Sequence, residues 1–395
     1  VSGLDDAVSR VEPEGGRHAT NLELFLDLVF VFAVTQIAGF LAADLSLGGF
    51  ARGLLLAWLV WWLWSQFTWL GTAIDLGGRS AAQLLVLLAV PPTLLMAVAL
   101  PEAFGSSGVE FGAAYLVVNL WALGIQGRGL WADPATRSSW LRYAPLAALA
   151  PCVLFAGSFF DEGPRTAVWC SVAAFNVASA VIGGQRGEWK IDPVHFSERH
   201  ALFVIISLGE VLVAVGVATS GVPLTTAVGA GLLAAVAVAC VFWWGYFAFV
   251  PAVAERTLRA AQGLARGRVA RDLFTFGHFP IVFGVVLYAV TAKHVAAHPQ
   301  ANLGEGELAA LATSIAFFLG GLLGVQWHVV RRLAPERLVV IAGVAVMCAT
   351  LGPEVSGTLM VAGVALVLVV MQVITLRRFE RREAELNAGS DGEPS

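Results

Sequence analysis

The chain has 395 residues, of which 58% are hydrophobic and 13% charged, with mean hydropathy +0.77 and a formal net charge of -4. A soluble domain carries about a quarter charged residues, so this composition excludes one. It equally excludes a disordered chain, which would be polar and poor in large apolar residues.

Residues 1–20 are polar and include Asp5, Asp6, Glu12 and Glu14. They read as a tail rather than a secretory signal, so the apolar run behind them is expected to stay in place. A helix crossing the hydrocarbon core needs about 20 mostly apolar residues. Such runs fall at roughly 22–43, 52–74, 81–100, 110–127, 141–160, 165–184, 197–218, 225–250, 273–296, 307–330, 336–352 and 355–376. The expected fold is all-α, a polytopic bundle of about twelve transmembrane helices with a C-terminal tail at 377–395. Pro91-Pro92 should kink the third span. Pro280 lies near the start of the ninth, where a missing N–H costs least. Gly352-Pro353-Glu354 makes the turn between the last two spans.

With the N-terminus in the cytoplasm, only Arg52, Arg165 and Lys293 of the 24 Lys and Arg residues fall on the outside. That asymmetry is a positive-inside signature. It predicts a multi-pass protein of the cell membrane with both termini cytoplasmic. The outer connections are acidic, with Glu102, Glu110, Asp161, Glu162, Glu305, Glu307 and Glu354. The arginines from Arg256 to Arg271 lie beside the membrane and read as topology and anionic-lipid contact, not nucleic-acid binding. Cys152, Cys170, Cys240 and Cys348 sit in apolar runs without CxxC or Cys/His spacing, so they read as small buried hydrophobes.

An internal echo divides the chain into six-helix halves, 21–185 and 186–376. The first and seventh spans both open with a carboxylate-bearing polar cluster. The second and eighth carry Trp61-Trp62 and Trp243-Trp244. Six spans is an even number, so the halves would share orientation as parallel repeats do.

Charged side chains inside a span cost about 2.5–3.5 kcal/mol at its centre, so each needs a reason. Glu23 and Asp27 are four apart and share one face of the first helix. Glu23 also has a plainer reading as a helix-start carboxylate, with Asn21 as the cap. Asp27 is a turn deeper, flanked by Leu26, Leu28 and Val29, and should face a partner or a cavity. At the mouth of the seventh span, His195, Glu198 and Arg199 share an arc of about 120° with Glu210, some 18 Å farther along. Glu210, in Ser207-Leu-Gly-Glu-Val-Leu, is the most informative residue. Desolvation favours the neutral acid, which makes it a candidate proton carrier; the plainer reading is a structural hydrogen bond between helices. His278, with Asp272 nearby, is a candidate titrating group or an ordinary interfacial histidine. His195, Glu198, His200, Asp27 and His278 have ligand chemistry but no His-Glu-x-x-His spacing, so no metal is expected. Without a Walker, Rossmann or Gly-x-Ser-x-Gly pattern, no cofactor is expected either.

The runs Glu23-Leu-Phe-Leu-Asp27 through Gln36 and His195-Phe-Ser-Glu198-Arg199-His200 through Glu210 resemble those of the bacterial low temperature requirement protein A (LtrA) family. The tryptophan-rich second span, His278-Phe-Pro280 and His298-Pro299 fit as well. The resemblance covers most of the chain and implies a polytopic protein of the bacterial inner membrane. It supplies no mechanism, because the family is defined mainly by a growth phenotype in the cold.

Two functions remain open. In the first, the chain is a secondary transporter of a small molecule, coupled to protons through Glu210, with Asp27, Glu198 and Arg199 as inner gate or charge relay. In the second it is a membrane enzyme on an isoprenoid or lipid. Asp27, Glu198, His195 and His278 would then do acid/base work beside a cleft of Trp61, Trp62, Trp64, Trp243 and Trp244.

Overall fold

Apolar runs of this length must satisfy their own backbone in lipid, and helices do so. The computed structural model describes residues 16–74, 76, 80–185 and 188–390, with Ser80 and 379–390 by backbone only. Asp5, Asp6, Arg10, Glu12, Glu14, Asp75, Arg79 and Arg186 lie outside the described residues. Among the described residues there is no strand, only an isolated bridge between Asn302 and Ser356. The helices are α1 (Asn21–Ala43), α2 (Leu47–Ala73), α3 (Ala81–Glu102), α4 (Gly108–Leu130), α5 (Pro134–Gly157) and α6 (Glu162–Gly183). They continue with α7 (Pro193–Thr219), α8 (Thr226–Ala260), α9 (Gly263–Ala297), α10 (Glu305–Val330), α11 (Pro335–Thr350) and α12 (Gly357–Ser390). Eleven of these are long and apolar enough to cross a bilayer. The twelfth, α11, has 16 residues and is about 24 Å long.

Short polar side chains start several helices by accepting backbone N–H groups that have no partner in the first turn. Thr20 caps α1 and forms a capping box with Glu23, so the cap is Thr20 and not Asn21. Ser46 caps α2, Asp133 α5, Asp192 α7 and Thr225 α8. Pro91-Pro92 interrupts α3: its first segment ends at Leu87 and a second begins at Val90, with the prolines in its first turn. Pro280 departs from expectation. The ninth helix begins at Gly263, ten residues earlier than its apolar run, so Pro280 is interior. A π-helical stretch, Ala270–Phe276, precedes it; such wide turns commonly absorb a local irregularity in a helix.

The bundle is built around α9, whose most apolar stretch is 78% buried, against 28% for α6. Close packing against α10 depends on Gly284, where a Cβ would lie 2.6 Å from the backbone N of Phe318. Outer faces present Leu, Val and Phe, as lipid contact requires. Of the cysteines only Cys348 is buried; Cys152, Cys170 and Cys240 are exposed on the outside of the bundle. Arg17, just before α1, reaches Asp192 at the start of α7 and Gly71 and Ile74 at the end of α2. These termini share one end, the basic end, where alternation of the connections puts most Lys and Arg. The exceptions have local partners. Arg52 pairs with Asp44 at 2.9 Å and with Glu162. Arg165 donates to the carbonyls of Ala103 (2.8 Å), Gly105 (3.0 Å) and Phe160 (3.1 Å).

Candidate functional site

The first turns of α1 and α7 meet at the basic end through a buried charge network. Glu23 faces inward because Thr20 fixes its helix start: the Thr20 N–H and hydroxyl both donate to Glu23 Oε2 at 2.9 Å. Its other oxygen lies 2.8 Å from His195 Nε2 and 3.9 Å from Arg199 Nε. One turn deeper, the Arg199 guanidinium donates to Asp27 in fork geometry, at 2.5 and 2.9 Å. Trp64 Nε1 of α2 donates to the same carboxylate at 2.9 Å, and the Arg199 charge stands 5.7 Å from the Trp64 ring centroid. Arg199 and His195 are wholly inaccessible. A bidentate, charge-assisted pair of this kind is strong, and its burial makes each partner dependent on the other. Gly71 leaves α2 room to approach: a Cβ there would sit 2.7 Å from Glu23 Oε1.

The segment before α1 covers this network. Arg17 donates its backbone N–H to Asp192 Oδ2 at 2.9 Å, and its side chain reaches the carbonyls of Ile74 (3.2 Å) and Gly71. Glu198 accepts from Ala19 N at 2.8 Å and lies 3.2 Å from His18 Nδ1. Burial alone would push the Asp192 carboxyl up, but the backbone N–H groups of Arg17, His195 and Val194 outweigh it and hold the carboxyl below its usual range. Glu198 therefore belongs to the cover, half-exposed, and not to the interior face it was expected to share with Arg199 and Glu210.

His278 and His200 form a second group beyond Trp64. His278 Nε2 is 2.9 Å from the Tyr246 hydroxyl, and its Nδ1 is 3.0 Å from the Leu273 carbonyl, within the π-helical stretch. His200 packs 5.3 Å from His278 and 5.1 Å from Trp64, ring to ring. The π-helical stretch also presents Thr275, whose carbonyl accepts from Trp61 Nε1 (2.8 Å) and whose hydroxyl accepts from Trp69 Nε1 (3.0 Å).

Glu210 lies apart from all of this. It is buried and takes a hydrogen bond from the Thr35 hydroxyl of α1, about 12 Å farther along that helix than Asp27. Thus α1 and α7 meet twice, once through paired charges and once through a lone carboxylate and a hydroxyl.

Two openings flank the site. At the basic end a cavity of ≈ 40 Å³ lies among Ser65, Gln66, Trp69, Gln126, Arg271 and Thr275. At the other end a recess of ≈ 390 Å³ is lined by residues including Gln36, Asp44, Arg52, Glu102 and Glu162. Between them α2 is buried from Leu59 to Thr68. There Trp61, Trp64 and Phe203 pack ring to ring, with centroids 4.3–5.4 Å apart.

Of the residues singled out in the sequence, the fold joins Glu23, Asp27, His195 and Arg199, places His278 beside them, and separates Glu198 and Glu210. The five tryptophans do not share a cleft: Trp61 and Trp64 are buried, while Trp243 faces outward, 53% exposed. Gln66 donates to Asn119 at 2.7 Å; with Gln126 it was legible as polarity inside a span. Thr275, Gly71 and Arg17 carry no such signal, since their roles depend on which helices they meet.

Fold and site define a polytopic α-helical membrane protein whose first and seventh helices are joined by buried charges. Residues 18–374 match the family model described as "Bacterial low temperature requirement A protein (LtrA)", and the chain belongs to that family. It is 30% identical over 383 residues to "Uncharacterized protein RA0937" of Rhizobium meliloti (strain 1021), covering 92% of this chain and 90% of that protein. No solved structure matches.

Proposed function

We propose that the chain is a secondary transporter of a small polar solute, set in the membrane with its basic end in the cytoplasm. The observation that carries this reading is the pair of openings at opposite ends, divided by a packed aromatic barrier, with a buried ion-pair network beside the barrier. A cavity of ≈ 40 Å³ holds little more than one water, whose share of liquid volume is about 30 Å³, so a solute enters only if helices move. The Asp27–Arg199 pair is the latch of the closed cytoplasmic side, and Glu23–His195 with its cover is the outer turn of that latch. Glu210, with the Thr35 hydroxyl and no direct salt bridge among the described residues, is the proton-coupling site.

Parallel halves suit this reading. In the first half α1 packs on α2 and α3, and α2 also packs on α6; in the second, α7 packs on α8 and α9, and α8 on α12. Catalysis by Asp27, His195 and His278 fits less well. A general acid or base must come within hydrogen-bond reach of its substrate, and none of the three lines either opening.

Cysteine accessibility tests the proposal in a background with the natural cysteines replaced. Gln36→Cys should react with a membrane-impermeant maleimide added outside right-side-out vesicles, while Ser65→Cys is protected from the same reagent added to inside-out vesicles. Adding Asp27→Asn should reverse both reactivities. If the two positions never exchange accessibility, alternating access is wrong. For coupling, solute-driven proton movement in proteoliposomes should vanish in Glu210→Gln; its persistence would remove Glu210 from the mechanism.

A further inference from the structure

A larger opening lies away from the network, between the end of α10, the start of α11, α12 near Thr375 and Arg378, and the joint within α8. It is a crevice of ≈ 800 Å³, at the upper part of the range of about 300–1,000 Å³ typical of small-molecule sites. Its floor is apolar, with Val250, Leu322 and Val325, and its mouth carries Arg332, Arg337 and Arg378. The connection from α10 to α11 shapes that mouth. Arg331 ends α10 in the left-handed region at φ 52°, and only four residues, 331–334, separate the two helices.

Arg337 is the unusual member. It is only 9% exposed, and one guanidinium nitrogen donates to Gln326 at 3.0 Å, but its buried Nε has no hydrogen-bond partner. No carboxylate pairs with it among the described residues. The adjacent Glu336 turns instead to Arg378, at 3.1 Å. An arginine this buried is costly when its nearby opposite charge, Glu336, is shared with Arg378, and it lines a crevice that is largely apolar. An anion with a long apolar tail matches both surfaces. Basic pockets between transmembrane helices bind anionic headgroups in this way.

We infer that this crevice binds an anionic phospholipid, with its phosphate between Arg337 and Arg332 and an acyl chain on the Val250–Leu322–Val325 floor. This site is independent of the transport reading. It also differs from the arginines at 256–271, two of which have carboxylate partners of their own, Arg259 with Glu255 and Arg271 with Asp272.

The test uses the purified full chain and measures lipid retention by native mass spectrometry and thermal shift. The probes are phosphatidylglycerol, phosphatidylcholine and inorganic phosphate. Phosphatidylglycerol should be retained and should raise the unfolding midpoint; phosphatidylcholine and inorganic phosphate should not. Arg337→Gln should weaken phosphatidylglycerol binding at least tenfold, whereas Arg268→Gln, which removes the same charge from an exposed position elsewhere, should leave it unchanged. Val330→Trp, which narrows the crevice without altering charge, should weaken it too and carries the test if Arg337→Gln does not fold. Equal losses in the 337 and 268 variants would mean diffuse surface attraction. Equal stabilisation by inorganic phosphate would mean an anion site without a lipid. Either result overturns the proposal, as does unchanged binding in Val330→Trp.

Discussion

Asp27 and Glu210 are both buried carboxylates at the α1–α7 interface, yet their surroundings differ in kind. Asp27 receives two hydrogen bonds from Arg199 and one from Trp64, so its charge is matched and its position held from two helices. Glu210 receives one from the Thr35 hydroxyl and makes no direct salt bridge among the described residues, its cation being the exposed Lys293 acting at longer range. Protonating Asp27 would leave the buried Arg199 guanidinium with only Glu23, 3.9 Å away. Protonating Glu210 strands no buried partner, because Lys293 is exposed. Burial alone therefore does not mark a residue for proton exchange; what a carboxylate would leave behind decides it.

The sharpest way to break this contrast is Arg199→Leu. Removing one partner of a buried pair costs about 3–5 kcal/mol, whereas replacing both partners by apolar residues is often neutral. The unfolding midpoint in detergent, followed by tryptophan fluorescence, should fall steeply for Arg199→Leu and recover most of the loss in Asp27→Leu/Arg199→Leu. If the double variant is as unstable as the single, the two residues do not act as a pair. Trp64→Phe comes next. It deletes one donor to a charged acceptor, a loss of about 1.5–3 kcal/mol, and the same denaturation measurement should show an effect smaller than that of Arg199→Leu. Glu210→Gln should change stability by only about 0.6 kcal/mol, the average for a polar contact between transmembrane helices. A loss as large as that of Arg199→Leu would show that Glu210 is a lock as well, and the contrast would fail.

The smallest effect is a pH dependence at the cover. The Asp192 carboxyl is held below its usual range in the folded chain, so its contribution is fully present above the unfolded value of about 3.9 and is lost as pH falls through the lower folded value. Asp192→Asn keeps a capping side chain. It should lower stability at pH 7 by the small contribution of the charge, leave stability in strong acid nearly unchanged, and so flatten the acid side of the profile; an unchanged acid limb would mean that other carboxylates govern it.

The family assignment and the helical architecture were legible because both rest on local pattern. Apolar runs located the helices to within a few residues except where polar turns extend them: α5 begins at Pro134, α8 and α9 reach Ala260 and Gly263, and α12 continues to Ser390 through part of what was expected to be the C-terminal tail. The pairing of Glu23 with Asp27 on one face followed from helical period. Period says which residues share a face, not what that face meets, and so Glu198 was placed with Arg199 when it turns instead to the segment at 17–19. The same limit hid Thr275, which becomes a hydrogen-bonding partner for Trp61 and Trp69 only where a π-helical stretch and α2 come together.

By itself the amino-acid order determined a bilayer-spanning, all-helical chain and the few acids and bases that had to be reconciled with lipid, because hydrocarbon penalises every unpaired polar group wherever it occurs. Only the tertiary structure decided which of those groups neutralise one another. That choice depends on contacts between residues some 170 positions apart, such as Asp27 and Arg199, and on close approaches at Gly71, to the Glu23 and His195 side chains, and at Gly284, to the α10 backbone.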